Sequence, residues 1–98
     1  KERIDAGESV VLLDVRNPAE TAQGIIEDAV LIPLPVLAER WEELKDANAI
    51  VCYCAAGARS LQAARFLRDK GLFNATSMSG GVGAWSGAGG ALVPPPGR

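Results

Sequence analysis

At 98 residues the chain can bury one core but not two, and 48% apolar against 22% charged residues suits a packed fold rather than a disordered one. A net charge of −2, with basic residues scattered and forming no run, offers no field for nucleic acid or an anionic membrane. The sequence contains no histidine, which removes every Ser-His or Cys-His nucleophile–base pair and the commonest transition-metal ligand.

Residues 10–15 (VVLLDV) form a short, nearly continuous apolar run and read as a buried parallel strand. The run ends in Arg16-Asn17-Pro18. Asn17 is placed to cap a helix, Pro18 suits its first position, and Glu20 stands where a capping box needs its acid. That helix is expected to run to about Gln23 and to close at Gly24. A second strand is predicted over 29–32, stopped by Pro33 and Pro35. Leu37, Trp41 and Leu44 then recur at helical spacing, which predicts a helix over 35–45. Residues 49–53 (AIVCY) read as a third strand. A second long helix is predicted over 60–70, with Ala63, Ala64 and Leu67 on one stripe and Gly71 as its stop. A weaker strand over 75–79 leads through Gly80-Gly81 into a short helix around Trp85. Trp85 and Trp41 read as packing residues. The tail, 87–98, is rich in Gly and Pro and is expected to be loosely ordered.

Strands alternating with helices at this spacing predict an α/β fold, with a central parallel sheet of four to five strands flanked by helices on both faces. The whole chain, 1–98, reads as one domain with its core at about 10–85. In such sheets ligands bind beyond the carboxyl ends of the strands. Cys54 falls at that edge, directly after the third strand.

The stretch Cys54-Ala55-Ala56-Gly57-Ala58-Arg59-Ser60 joins this strand to the following helix. Its residues are small, so the chain can curl around its own sulfur with amide N–H groups turned inward, and the helix N-terminus adds its positive end. A thiolate or persulfide anion would be stabilised there, and the Cys54 pKa should fall. Gly57 would permit a backbone angle closed to other residues. Arg59 supplies a positive charge that either faces the anion or braces the loop through a carboxylate. Strand-end position, small loop and following Arg together favour a reactive Cys54 over an inert core thiol. Cys52, inside the strand, reads as core. On a strand both cysteines face the same way with Cα atoms roughly 6.5 to 7 Å apart, at or beyond the disulfide limit. The absence of a disulfide framework suits a reducing, cytoplasmic compartment, while Lys1 does not look like a native start and leaves room for a removed leader.

Residues 12–20 (LLDVRNPAE), 29–34 (AVLIPL), 50–60 (IVCYCAAGARS), 62–71 (QAARFLRDKG) and 79–85 (SGGVGAW) stand in an order that resembles single-domain rhodaneses. The resemblance spans about 10–85. It implies a sulfurtransferase in which the loop cysteine accepts sulfane sulfur from thiosulfate or a persulfide donor and passes it to a thiol, cyanide or protein acceptor. On this resemblance Cys54 is the nucleophile and residues Ala55, Ala56, Gly57, Ala58 and Arg59 form the substrate loop. Asp14, Arg16 and Glu20 match the family's strand-end Asp and Arg and its following acid, and Ser60 supports the loop. No cofactor, nucleic acid or membrane is implied. Asp14, Arg16 and Glu20 are expected to brace the loop, because a carboxylate beside a thiolate would oppose its ionisation.

The chain departs from the family in three places. Where a Gly-His-Ile-Pro-Gly-Ala stretch is common, this chain has Gly24-Ile25-Ile26-Glu27-Asp28-Ala29. The position after the cysteine, often Arg or another polar residue, is Ala55. The strand usual ahead of the first helix is missing. A sulfur-delivery or sensing module for one protein partner, with little thiosulfate activity, is the competing expectation, because Ala55 and Ala56 recruit no dianion. Phosphatase or arsenate chemistry uses a related Cys-to-Arg loop with five residues between; Cys54 and Arg59 enclose four, which suits a sulfur atom better than a tetrahedral oxyanion. A metal site at Cys52 and Cys54 lacks further soft ligands at useful spacing.

Overall fold

Runs of Val, Leu and Ile with almost no charge belong in a sheet covered on both faces, and they pair in that way. The computed structural model describes residues 10–95. Strand β1 (Val10–Asp14) lies between β2 (Val30–Leu31) and β3 (Ala49–Tyr53), and β4 (Ala75–Ser77) follows β3. The order β2-β1-β3-β4 makes a parallel sheet of four strands among the described residues. The register sets Leu13 opposite Cys52, Asp14 opposite Tyr53, and Cys52 opposite Ser77. The connection leaving β1 runs to β2 on one side, and the connection leaving β3 runs to β4 on the other. The carboxyl ends of β1 and β3 therefore flank a topological switch point, where the diverging connections leave a crevice.

The two-residue alternation of strands divides the apolar side chains between the two faces. On one face Leu13, Val15, Ile50 and Cys52 pack with Leu37, Leu44, Ala63, Ala64 and Leu67. On the other, Tyr53 packs with Ile25, Ile26 and Ala29, and Leu12, Val82, Trp85 and Val93 close over them. Helices α2 (Leu37–Arg40) and α3 (Ala58–Asp69) supply the first cover, and α4 (Gly81–Gly87) contributes to the second.

Helix α1 (Pro18–Thr21) begins with the expected capping box: the Glu20 amide donates to Asn17 Oδ1 at 3.0 Å and the Asn17 amide donates to Glu20 Oε1 at 3.1 Å. It ends before Gln23, because Gln23 and Gly24 donate three residues back, to Glu20 and Thr21, and tighten the last turn. The helix expected over 35–45 is broken into a 3-10 turn (Leu34–Val36), α2, and a second 3-10 turn (Trp41–Leu44). The breaks fall at Val36 and Arg40, whose ψ angles of 3° and 0° leave the helical region. With Pro35 at its start and only Leu37 and Leu44 buried, this segment lacks the continuous apolar face that holds a long helix.

The strand expected to reach residue 79 stops at Ser77, where the Met78 amide donates to the Cys52 carbonyl and the chain turns into α4. Beyond α4, the segment read from its composition as loosely ordered returns to the body. Val93 and Ile25 exchange backbone hydrogen bonds of 2.8 and 2.7 Å, and Trp85 Nε1 donates to the Ala91 carbonyl. The strand missing ahead of the first helix concerns residues 1–9, which lie outside the described residues, as do residues 96–98.

Candidate active site

The chain leaves β3 at Cys54, 1% exposed, and turns within three residues into α3. Helix α3 begins at Ala58, two residues ahead of expectation, with Gly57 as its N-cap at φ +117°. Only glycine adopts that angle without strain, so Gly57 allows so short a turn. Gly57 has no side chain with which to cap the helix. The Cys54 sulfur takes that part: the Ser60 amide, third in the helix, points at Sγ over 3.4 Å, and the Gly57 amide donates to it at 3.0 Å. The sulfur thus sits at the positive end of a twelve-residue helix.

The loop carbonyls are directed away from the sulfur by α4. The Val82 amide donates to the Cys54 carbonyl at 2.8 Å and the Gly83 amide to the Ala55 carbonyl at 3.3 Å. Such an approach requires Gly81, since a Cβ there would run into the Cys54 carbonyl and lie 2.8 Å from that of Ala55. The first turn of α4 therefore holds the loop carbonyls, leaving amides for the sulfur.

The two thiols differ accordingly. Burial alone would push the Cys54 thiol up, but the Ser60 hydroxyl and the Ser60, Gly57 and Ala56 amides outweigh it and lower its pKa. Cys52 has no such donors, and burial raises its pKa to about 12. Both cysteines are free. Ser60 is fully buried; its Oγ lies 3.6 Å from Cys54 Sγ, donates to the Gly57 carbonyl at 3.1 Å, and sits 2.6 Å from Ser77 Oγ.

Of the two roles open to Arg59, the structure has it bracing the loop. Its guanidinium donates to both Glu20 carboxylate oxygens at 2.7 and 2.8 Å, joining α3 to α1. Arg59 and its neighbours hold the Glu20 carboxyl down at about 2. Asp14 and Arg16 form a separate buried pair. Arg16 Nε and Nη2 meet the Asp14 carboxylate at 3.0 and 2.8 Å, and Nη2 also donates to the Gly24 carbonyl at 2.7 Å. This ties the end of β1 to the turn after α1. Ala55, Ala56 and Ala58 are exposed around the loop. Ser77 and the α4 amides are absent from the residues that sequence reasoning singled out. Parallel pairing of β3 with β4, which sets Ser77 beside Cys52, was the signal that could have found Ser77. Among the described residues no group of three His, Cys, Asp or Glu side chains could hold a metal ion, and no helix is long and apolar enough to cross a membrane.

Comparison with known proteins agrees with this geometry. The family model of the rhodanese-like domain matches residues 1–88. A protein of Allochromatium vinosum named Sulfurtransferase is 38% identical over 96 residues, covering 98% of this chain and 90% of its own length. The crystal structure of a rhodanese-related protein from Thermoplasma volcanium superposes with a TM-score of 0.83 at 35% identity, over 94% of this chain and 88% of that one. A Staphylococcus saprophyticus protein superposes with a TM-score of 0.80 at 33% identity, over 94% of this chain and 89% of that one. The chain belongs to the rhodanese-like domain family.

Proposed function

We propose that this chain is a sulfurtransferase that moves sulfane sulfur through a persulfide on Cys54. The observation that carries the reading is the Cys54 sulfur itself, placed at the switch point of the sheet and met by the Gly57 amide at 3.0 Å and the Ser60 amide at 3.4 Å. With no histidine in the chain, these donors take over the activation that a neighbouring base supplies elsewhere. Sulfur transfer by relatives such as the A. vinosum protein supports the same class of reaction.

In the first step the Cys54 thiolate attacks the outer sulfur of thiosulfate, or of a persulfide donor. A bond forms between Sγ and the incoming sulfur, the donor's S–S bond breaks, and sulfite or the donor thiolate leaves with the electron pair. In the second step an acceptor thiolate or cyanide attacks the outer sulfur. The S–S bond on Cys54 breaks and the Cys54 thiolate is restored. No net oxidation is required. The same amides stabilise the thiolate and the persulfide anion, so neither step needs the loop to be rebuilt.

One observation favours a protein persulfide over thiosulfate as donor. Arg59, the one cation within the loop, is engaged by Glu20, and the exposed positions Ala55 and Ala56 carry no charge to attract a dianion. In that form the domain acts as a sulfur-delivery or sensing module for a protein partner. The same geometry disfavours phosphatase or arsenate chemistry, which would need the guanidinium over the loop to hold an oxyanion. Steady-state turnover with thiosulfate, and with a small-molecule persulfide, in the presence of cyanide tests the reading. Turnover by at least one donor that is lost in Cys54→Ser supports it. Equal turnover in Cys54→Ser would defeat it.

A further inference from the structure

Ser77 is half-buried at the end of β4, with its Oγ 2.6 Å from Ser60 Oγ, at the short end of hydroxyl–hydroxyl hydrogen bonds. Ser60 has one proton and three neighbours that can use it: the Gly57 carbonyl at 3.1 Å, Ser77 Oγ, and Cys54 Sγ at 3.6 Å. The Gly57 carbonyl already accepts from the Leu61 amide at 3.2 Å, so it does not depend on Ser60. When Cys54 is a thiol, its S–H can point at Ser60 Oγ. Once that proton has left for solvent, the favourable arrangement reverses, with Ser60 O–H turned to the sulfur anion. Ser60 then has lone pairs free to accept, and the hydroxyl facing them is that of Ser77.

We propose that Ser77 is a positioning residue for the sulfur site: it donates its hydroxyl proton to Ser60 Oγ and so holds the single Ser60 proton on the Cys54 sulfur whenever that sulfur is anionic. The inference rests on the reading of Cys54 as the sulfur-bearing nucleophile and adds the chain of hydroxyls behind it. Consecutive hydrogen bonds of this kind polarise and strengthen one another. The framework holds the two serines together, because Arg68 of α3 donates to the Ala75 carbonyl at 2.8 Å and the Met78 amide donates to the Cys52 carbonyl at 2.8 Å. The charge that reaches the sulfur comes from elsewhere, from Arg59 of α3, held by Glu20 of α1, while Asp14 and Arg16 pair with each other at the end of β1. Strand β4 and helix α4 carry no ionisable side chain, so Ser77 is their one hydroxyl bonded to Ser60.

The test is the pH midpoint of iodoacetamide alkylation at Cys54, read by peptide mass, in wild type, Ser77→Ala, Ser60→Ala and the double variant. The expected rise in Ser77→Ala is about 0.5 to 1 pH unit, equivalent to ~3–10-fold less thiolate at a fixed pH below the midpoint. Ser60→Ala should raise the midpoint at least as far, and Ser77→Ala should add nothing once Ser60 is gone. Ser77→Thr and Ser77→Val differ by a hydroxyl at nearly equal shape, so Thr should keep the wild-type midpoint and Val should not. This pair also serves if the alanine variant fails to fold. An unchanged midpoint in Ser77→Ala or Ser77→Val, or the same rise with and without Ser60, overturns the proposal. Alkylation needs no sulfur donor, so these outcomes bear on Ser77 alone. A wild-type Cys54 that takes up no sulfur would count against the transfer reading instead.

Discussion

Arg59 turns its guanidinium to Glu20, with both bonds at 2.7–2.8 Å, and leaves the Cys54 sulfur to backbone amides and the Ser60 hydroxyl. The loop cation thus works as a strut between α3 and α1. Its charge reaches the sulfur only at longer range. Activation of the thiol is then a property of the loop's curl, and the ion pair matters by preserving that curl.

The strut has a pH signature. Glu20 ionises at about 2 in the folded chain against an ordinary value of 4.5, so its contribution is fully present above the ordinary value and is lost as pH falls toward about 2. Glu20→Gln removes the charge while retaining a side chain suited to the capping box. The pair is about one-third exposed, so solvent screening limits its worth to about 1 kcal/mol or less. Melting curves should show wild type a few degrees above Glu20→Gln at neutral pH, with the gap closing between about pH 4.5 and 2. A gap that stays constant across that range would mean that the pair does not brace the fold.

Gly81 is expected to tolerate nothing larger. At φ +55°, with the Cys54 and Ala55 carbonyls in the space a Cβ would need, Gly81→Ala must push α4 off the loop. A stability loss of roughly 2–4 kcal/mol should follow. Cys54 alkylation at neutral pH should slow as well, because the carbonyls released from Val82 and Gly83 can swing toward the sulfur. Denaturant unfolding and alkylation rates measure the two effects. Wild-type behaviour in both would contradict the role given to α4.

Ala55 is exposed at the mouth of the loop and carries no charge. Thiosulfate is a dianion, so Ala55→Arg should lower its KM several-fold, through a contact worth about 1 kcal/mol while the group stays solvated. Added salt should weaken the gain. Turnover should change less, since the amides around the sulfur are untouched. Saturation curves at low and high salt report both quantities. An unchanged KM at low salt would mean that capture of the dianion does not limit the reaction, and would favour a protein persulfide donor.

Much of this arrangement is legible in the sequence. Strands β1 and β3 announce themselves as apolar runs, the first charged only at its last residue, Asp14, and Cys54 could be placed at a strand end by counting along the second. The capping box at Asn17 and Glu20 is local, and local chemistry can be read locally. The segment 35–45 was misread because three apolar residues at helical spacing do not say whether the turns between them close as α or 3-10. Arg59 had two plausible partners, and the choice depended on where α1 would lie. Ser77 was illegible for a similar reason: its partner Ser60 is 17 residues away, and only the pairing of β4 with β3 brings the two together. Gly80-Gly81 reads as a turn, while its role in admitting α4 to the loop carbonyls depends on contacts between distant segments.

The central claim is that Cys54 carries sulfur and Cys52 does not. One lies at the helix N-terminus with two amides on its sulfur; the other is sealed in β3 with its pKa raised to about 12. The most direct measurement is intact-mass and peptide analysis after incubation with thiosulfate, and separately with a small-molecule persulfide. The expected result is one added sulfur on Cys54 with at least one donor, removable by cyanide and absent from Cys54→Ser. Sulfur on Cys52, sulfur retained by Cys54→Ser, or a wild-type chain that takes up none from either donor would contradict the account.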